Sequence, residues 1–402
     1  MKKDILFIIS TLRCGGAEHA LVSLLNVLDY KKYNVDLMIL CREGMFYRNA
    51  IPEQVNVIEP DLSISAVLEP TMKNMLHCLK KCELTYIWMH TKRIIGRILN
   101  NKGVQGNFWS NYWKKYGRYV HCLEKEYDAS IGYLEGLSNY FCIDKVSAKC
   151  KIGWIHTNYT DSAQNKKMDQ EYFPKFDYMV TMSEPASETL KREFPEISNQ
   201  IHTIHNILDK KEVMHLAQEY VEEIEKKDEE IVLVSVGNIL PAKGYDMAVE
   251  ACKKLVQSGA KIKWYIVGRE DQAETIKKKI EEYNLKETFI LLGMKKNPYK
   301  YMNISDIYVQ CSRYEGFSTT IREAKMLCKP IVATDCQGIN DQIENGINGT
   351  LVDMNAESIC QGILELVNDK KIMEEYTTKL MEDSKNENDM NIELKKLYDL
   401  IG

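Results

Sequence analysis

Short apolar runs alternate with helical patterns along this chain, and the alternation happens twice. In the first half Ile5–Ile9, Val35–Leu40, Ala129–Tyr133, Lys151–Ile155 and Tyr178–Thr181 read as strands. In the second half Ile231–Val236, Lys263–Val267, Phe289–Leu292, Ile307–Gln310 and Ile331–Ala333 do so. Between them lie stretches with helical periodicity, such as Ala17–Leu28. Strands that alternate with helices in this way form parallel sheets covered by helices, because a parallel pair needs a long crossover. Two such series predict two α/β domains. The expected layout is a first domain over 1–207, a connection over 208–229, a second domain over 230–385 and a final helix over 386–402. The charged stretch Glu219–Glu230 reads as a helix leading into the second domain, and Asn386–Leu400 as a helix with little core of its own.

A chain of 402 residues leaves ample core for both domains, and 45% hydrophobic with 28% charged side chains is the balance of a globular protein. The net charge of −5 hides an asymmetry. Residues 1–200 carry 26 Lys and Arg against 23 Asp and Glu, hence +3; the remainder carries 27 against 35, hence −8. An excess this small argues against general nucleic-acid binding. The 12 cysteines are scattered without a Cys-x-x-Cys pair or zinc spacing, which fits reduced thiols. After Met-Lys-Lys-Asp only Ile5–Ile9 is apolar, a first strand rather than a secretion signal. No stretch approaches the roughly 20 apolar residues of a membrane span. The expected location is therefore cytoplasmic.

The chemistry concentrates between residues 314 and 335. Glu315 and Gly316 follow the strand pattern Ile307–Gln310, and Ser318, Thr319 and Thr320 are residues that open helices. A helix N-terminus at the end of a parallel strand offers free amides and partial positive charge to a phosphate or a sugar hydroxyl. One turn in, Glu323 can accept hydrogen bonds from a vicinal diol such as a ribose, and Glu315 can meet a second sugar. Gly15 and Gly16 follow the first strand and open a helix, a place where backbone approaches a ligand closely.

Glu315 and Glu323, with Gly316, Phe317, Lys329-Pro330 and the strand after them, resemble the E-x7-E signature of retaining GT-B glycosyltransferases, most closely family 4. The resemblance covers nearly the whole chain, strongly over Val234–Asp353 and at Gly15–Glu18, weakly between about 60 and 125. It implies an α/β chain of two facing Rossmann-like domains, with the terminal helix crossing back to the first. It also implies transfer of a sugar from a nucleotide diphosphate sugar, expected to be a UDP-sugar, without metal or other cofactor. Gly15 and Gly16 would lie beside the donor diphosphate and sugar. Gly237, Asn238 and Lys243 match a loop whose two cations hold the diphosphate, but Asn238 stands where the family has Arg. Lys243 would then be the charged ligand, with Arg322 or Arg13 as the candidate second cation. His156 matches a strand-end histidine that contacts the donor sugar, so His156, Glu315 and Lys243 form the expected catalytic set. Arg269 and Met294 lie in loops that form the base and ribose pocket; Gly316, Phe317, Ser318 and Thr319 complete the donor side. Tyr133, Glu135 and Thr157 are expected to line the acceptor side.

Residues 71–120 hold ten Lys and Arg against one acid, Glu83, among Tyr86, Trp88, Phe108, Trp109, Tyr112, Trp113, Tyr116 and Tyr119. This stretch suits an anionic membrane surface that delivers a lipid-linked glycan acceptor, or amphipathic helices whose aromatics are core and whose lysines are solvated. A nicotinamide oxidoreductase would need Gly-x-Gly-x-x-Gly after a strand, and neither Arg13–Glu18 nor Gly237–Gly244 supplies it. A GT-B pseudo-enzyme, a carbohydrate-binding protein or a sugar epimerase of related architecture are the alternatives within the fold. The biological setting that the resemblance implies is bacterial surface polysaccharide synthesis.

Overall fold

The computed structural model describes residues 2–42, 44–68, 84–88, 91, 108–161, 165–224, 226–227, 229–386 and 389–402. The chain divides into two compact units. One comprises Met1–Leu208 with Asp389–Gly402, and the other Asp209–Asn388.

The first unit carries a seven-stranded parallel sheet. Its strands are β1 (Lys3–Ile9), β2 (Tyr33–Ile39), β3 (Val55–Ile58), β4 (Glu126–Gly132), β5 (Ser147–Ile155), β6 (Tyr178–Thr181) and β7 (Ile201–Thr203), in the order β3-β2-β1-β4-β5-β6-β7. Ile5 to Ile9 are all fully buried, because helices cover both faces of the central strand and both must be apolar. Along β1, Leu6 and Ile8 join one core layer, while Ile5, Phe7 and Ile9 join the other.

The second unit repeats the scheme with six parallel strands, β8 (Ile231–Val236), β9 (Ile262–Val267), β10 (Phe289–Gly293), β11 (Ile307–Gln310), β12 (Ile331–Thr334) and β13 (Thr350–Val352). Their order is β10-β9-β8-β11-β12-β13. A buried polar thread crosses the middle of this sheet: Trp264 Nε1 donates to Ser235 Oγ at 2.9 Å, and Ser235 Oγ donates to the Val309 carbonyl at 2.6 Å. In both sheets the order reverses between the first strand and the fourth, β1/β4 and β8/β11. At such a switch point the connections diverge and leave a crevice at the carboxyl ends of the strands.

Two expectations need correction. Glu219–Glu230 forms no helix among its described residues. Val221 and Ile224 are buried there, and Glu223 pairs with Lys295 at 2.8 Å and accepts from Tyr301 Oη at 2.9 Å, so tertiary anchoring overrides helical propensity. The helix of this region is Lys210–Leu216, capped by Asp209, whose Oδ1 accepts from Lys211 N at 2.9 Å. The edge strands β3, β7 and β13 were absent from the expected set; they are short and only partly buried.

Helix Lys370–Asn386 lies in the second unit, whereas helix Asp389–Ile401 packs into the first. Leu394, Leu397 and Ile401 enter the core beside β1 and β2. Tyr398 stacks on Tyr33 with ring centroids 5.2 Å apart, and its Oη accepts from Asp29 N at 3.0 Å. Glu393 accepts from His205 N at 2.8 Å through Oε2, while its Oε1 lies 3.2 Å from His205 Nδ1.

Candidate active site

The second unit assembles its polar centre from the loops that leave β8 and β11 at the switch point. After β8 the chain passes Gly237 and Asn238, makes a one-turn 3-10 helix over Pro241–Lys243 and enters helix Tyr245–Gln257 through Gly244. Gly244 has φ +67°, and a Cβ there would lie 1.9 Å from the Cys311 carbonyl oxygen. Only glycine lets these two loops touch through their backbones. After β11 the chain runs through Cys311, Ser312 and Arg313 to Glu315, then caps helix Thr319–Met326 with Ser318, whose Oγ accepts from Ile321 N at 3.4 Å.

Across this contact Lys243 Nζ stands 2.6 Å from Glu315 Oε1. The same oxygen accepts from Ser312 Oγ at 2.6 Å and Gln310 Nε2 at 3.0 Å. Gln310 Oε1 in turn accepts from Tyr308 Oη at 2.6 Å and Thr320 Oγ1 at 3.2 Å. Glu315 Oε1 is thus fully engaged, while Oε2 has no protein partner among the described residues. The Lys243 and Glu315 side chains keep 24% and 13% of their surface, enough to meet a ligand. Gln310, Ser312 and Tyr308 were not anticipated; their one sequence signal was polar residues ending a strand that is otherwise apolar.

Glu323 is 3% exposed and accepts from Tyr299 Oη at 3.3 Å. Burial pushes its carboxyl up to about 8, against the Tyr299 hydrogen bond and the nearby Arg322 charge. Arg322 also lies over the Phe317 ring, 5.8 Å from its centroid. Asn238 Oδ1 accepts from Arg269 N at 3.1 Å, and Ile239 N donates to the Arg269 carbonyl at 2.8 Å. The residue standing in place of the family arginine therefore ties the β8 loop to the β9 loop. Arg269 Nη2 faces Asp271 at 3.2 Å, and Met294 is 45% exposed after β10.

The first unit gathers its own group at the ends of β4 and β5. Glu135 Oε2 accepts from His156 N at 2.9 Å and its Oε1 from Thr157 Oγ1 at 3.0 Å. Both oxygens of Glu135 thus hold the strand end in place. Burial raises this carboxyl, and the His156 amide, its own amide and the Thr157 hydroxyl oppose the shift. His156 lies parallel to Trp154, at 8° and 5.8 Å, and packs on Tyr133 at 4.7 Å. Burial lowers the imidazole to about 3, so it is neutral at ordinary pH. Its Nε2 is buried without a hydrogen-bond partner among the described residues. At β1, Gly15 caps helix Gly16–Val27, and a carboxylate oxygen of Glu18 lies 2.3 Å from where a Gly15 Cβ would be. Glu18 also accepts from Thr11 Oγ1 at 3.3 Å, so the space over the glycine is filled by the loop's own acid.

Much of the basic stretch 71–120 lies outside the described residues. Within it, Trp113 is 1% exposed and donates from Nε1 to Asp144 at 2.9 Å, and Tyr112 and Tyr116 are buried. These aromatics belong to the core, while Lys114, Lys115 and Arg118 are exposed. No helix among the described residues is long and apolar enough to cross a membrane, and no group of metal-ligating residues is found among them.

Residues 217–385 match the family described as Glycosyl transferases group 1. The chain is 26% identical, over 94% of its length and 94% of the relative's, to the N-acetylgalactosamine-N,N'-diacetylbacillosaminyl-diphospho-undecaprenol 4-alpha-N-acetylgalactosaminyltransferase of Campylobacter jejuni. It is 27% identical, over 66% of its length and 53% of the relative's, to the poly(ribitol-phosphate) alpha-N-acetylglucosaminyltransferase of Staphylococcus aureus. Among solved structures, Anabaena HepE with UDP and glucose superposes with a TM-score of 0.68 at 14% identity, covering 99% of this chain and 98% of that one. A glycosyltransferase from Rickettsia africae does so at 0.68 and 18% identity, covering 100% and 98%.

Proposed function

We propose that this chain, which matches Glycosyl transferases group 1 over residues 217–385 and has the GT-B fold, moves a sugar from a UDP-sugar to a hydroxyl of a lipid-linked glycan, with retention at the anomeric carbon, in surface polysaccharide synthesis. The observation that carries the reading is the Lys243–Glu315 pair at the β8/β11 switch point, beside the Ser318-capped helix. The names of the two relatives, one with a diphospho-undecaprenol-linked acceptor and one with a poly(ribitol-phosphate) acceptor, support the acceptor class.

In this reading the bond between the anomeric carbon and the diphosphate oxygen breaks, and charge collects on the leaving phosphate. Lys243 Nζ and the amides at the start of helix Thr319–Met326 meet that charge. Glu315 Oε2 orients the transferring sugar, Glu323 holds the ribose diol, and neutral His156 offers Nε2 to a sugar hydroxyl. The acceptor oxygen bonds to the same face of the carbon and gives its proton to the departing phosphate.

The test is a panel of nucleotide sugars with an undecaprenyl-diphosphate-linked acceptor, read by mass spectrometry and by the anomeric coupling constant of the product. A UDP-sugar consumed with retained configuration is expected; inversion, or sugar binding without turnover, would overturn the reading. Peripheral attachment belongs to the same proposal. Exposed Lys114, Lys115 and Arg118, with Leu84 and Trp88 also exposed, give an anionic bilayer both charge and apolar contact. Co-sedimentation should need anionic vesicles and weaken with salt. Equal recovery with neutral vesicles, or none with either, would end it.

A further inference from the structure

We infer that Arg313 is a positioning residue that fixes where Lys243 stands, so that a diphosphate can take the ammonium group without the two loops parting. The inference rests on Lys243 being a diphosphate ligand.

Arg313 sits two residues before Glu315, yet its contacts all reach the other loop. Its Nη1 donates to the Pro241 carbonyl and to Asp246 Oδ1, each at 2.8 Å. Its Nη2 donates to Asp246 Oδ2 at 2.7 Å, and its backbone N–H donates to the Ala242 carbonyl at 2.7 Å. Pro241, Ala242 and Asp246 bracket Lys243 on both sides. One residue of the β11 loop thus grips the 3-10 turn that carries the lysine and the first turn of the helix behind it. The Asp246 carboxyl is held below its usual range, chiefly by the hydrogen bonds from Arg313.

The Lys243–Glu315 pair explains why a second tie is needed. Lys243 Nζ is bound to Glu315 Oε1, and that pair is the side-chain link which an incoming diphosphate must loosen. A phosphate oxygen competes directly for the ammonium protons. With the pair loosened, the Gly244–Cys311 contact has no attractive term, and the bond from the Arg313 N–H to the Ala242 carbonyl ties the loops at one point. The Arg313 fork adds ties at Pro241 and Asp246, and it contains no group that the diphosphate needs. Three acceptors, two carboxylate oxygens and a carbonyl, suit the forked donors of a guanidinium and not an ammonium. The fork is about two-fifths exposed, so its worth lies in geometry more than in stability.

The experiment measures binding of UDP and of inorganic pyrophosphate by calorimetry, with melting temperature in parallel. The variants are Lys243→Ala, Arg313→Ala, Arg313→Lys, Asp246→Asn and the double variant Lys243→Ala with Arg313→Ala. Lys243→Ala should weaken both ligands by about 10- to 100-fold, the scale of losing one charge-assisted contact. Arg313→Ala and Arg313→Lys should weaken them by roughly tenfold, and in the Lys243→Ala background Arg313→Ala should cost less than about twofold more, because its effect passes through the lysine. Asp246→Asn, which keeps the shape but loses the fork partner, should follow Arg313→Lys. A merely structural arginine would lower the melting temperature in both backgrounds and add its binding loss in full; that result, or unchanged binding in Arg313→Ala, overturns the inference. Unchanged binding in Lys243→Ala would instead remove the lysine reading beneath it.

Discussion

Glu323 carries the plainest consequence of burial. In the folded chain burial pushes its carboxyl up to about 8, against 4.5 for an unfolded glutamate. Between those values the folded state holds the extra proton, so this group's contribution to stability falls as pH rises from 4.5 to 8 and is level above. A ribose diol donates hydrogen bonds and therefore favours the ionised form. Nucleotide binding at pH 7 should release up to about one proton, and affinity should rise with pH toward 8. Calorimetry of UDP in two buffers with different heats of ionisation reads the proton count; a buffer-independent heat, or the same count in Glu323→Gln, would sink the ribose assignment. His156 gives the opposite case. Neutral above about 3, it should impose no limb on the rate profile between pH 5 and 8. His156→Ala should lose turnover while keeping UDP affinity and melting temperature. Which of these residues could be read beforehand follows from where their partners lie. Glu315, Lys243 and His156 stand in motifs soon after a strand end, and Glu323 in the helix that follows one. Gln310 and Ser312 reach Glu315 from five and three residues away but belong to no motif, whereas Arg313 acts on partners that the fold brings near, 72 residues away for Pro241. Asn238 was singled out for the charge it lacks; that its carboxamide ties two loops together required the coordinates.

At the scale of elements, the site depends on how tightly two loops touch and on how one helix begins. Gly244→Ala would put a methyl group into the Cys311 carbonyl at a positive φ, so the turn holding Lys243 must move. The expected cost is about 1–3 kcal/mol, seen as a lower melting temperature, with UDP affinity falling beyond what the stability loss explains. Ser318→Ala removes only a cap and should cost about 1 kcal/mol. Its UDP affinity should fall less than that of Gly244→Ala, since the helix amides remain in place; the reverse order would mean that the cap hydroxyl itself meets the ligand. Strands were legible where both faces are buried, since β1, β8 and β11 are mostly apolar runs. The edge strands β3, β7 and β13 have one open side and mixed residues, and their pattern does not separate from loop. Glu219–Glu230 misled for a related reason: its acids suit a helix, yet Glu223 is spent on Lys295 and Tyr301.

At the scale of the whole chain, the first unit is closed by residues that follow an interruption of 180 residues, since it stops at Leu208 and resumes at Asp389. The pattern of the last helix is amphipathic, but its partner surface on β1, β2 and the helix after them is invisible locally. The resemblance to a known family, not the periodicity, pointed to it. Glu393 is the polar lock of this closure. Burial alone would raise its carboxyl; hydrogen bonds from the His205 ring and backbone, and from Lys396 at 2.8 Å, outweigh that and bring it down to about 2. A carboxyl depressed from 4.5 to about 2 contributes stability that is complete above pH 4.5 and is lost as pH falls toward 2, about 3 kcal/mol at most. Glu393→Gln should therefore lower the stability of the first unit near neutrality and flatten its acid limb, while the second unit is untouched. Ending the chain at residue 388 should do more, because Leu394, Leu397 and Ile401 then leave bare the core they cover. Each such side chain removed costs about 1.5–3 kcal/mol of apolar burial, enough together to rival the stability of an ordinary domain. Hydrogen exchange resolved by peptide separates the units: protection should fall over β1 and β2 and persist over β8, β9 and β11. Loss of protection spread evenly over both sheets would show that the helix stabilises the chain as a whole rather than the unit it belongs to.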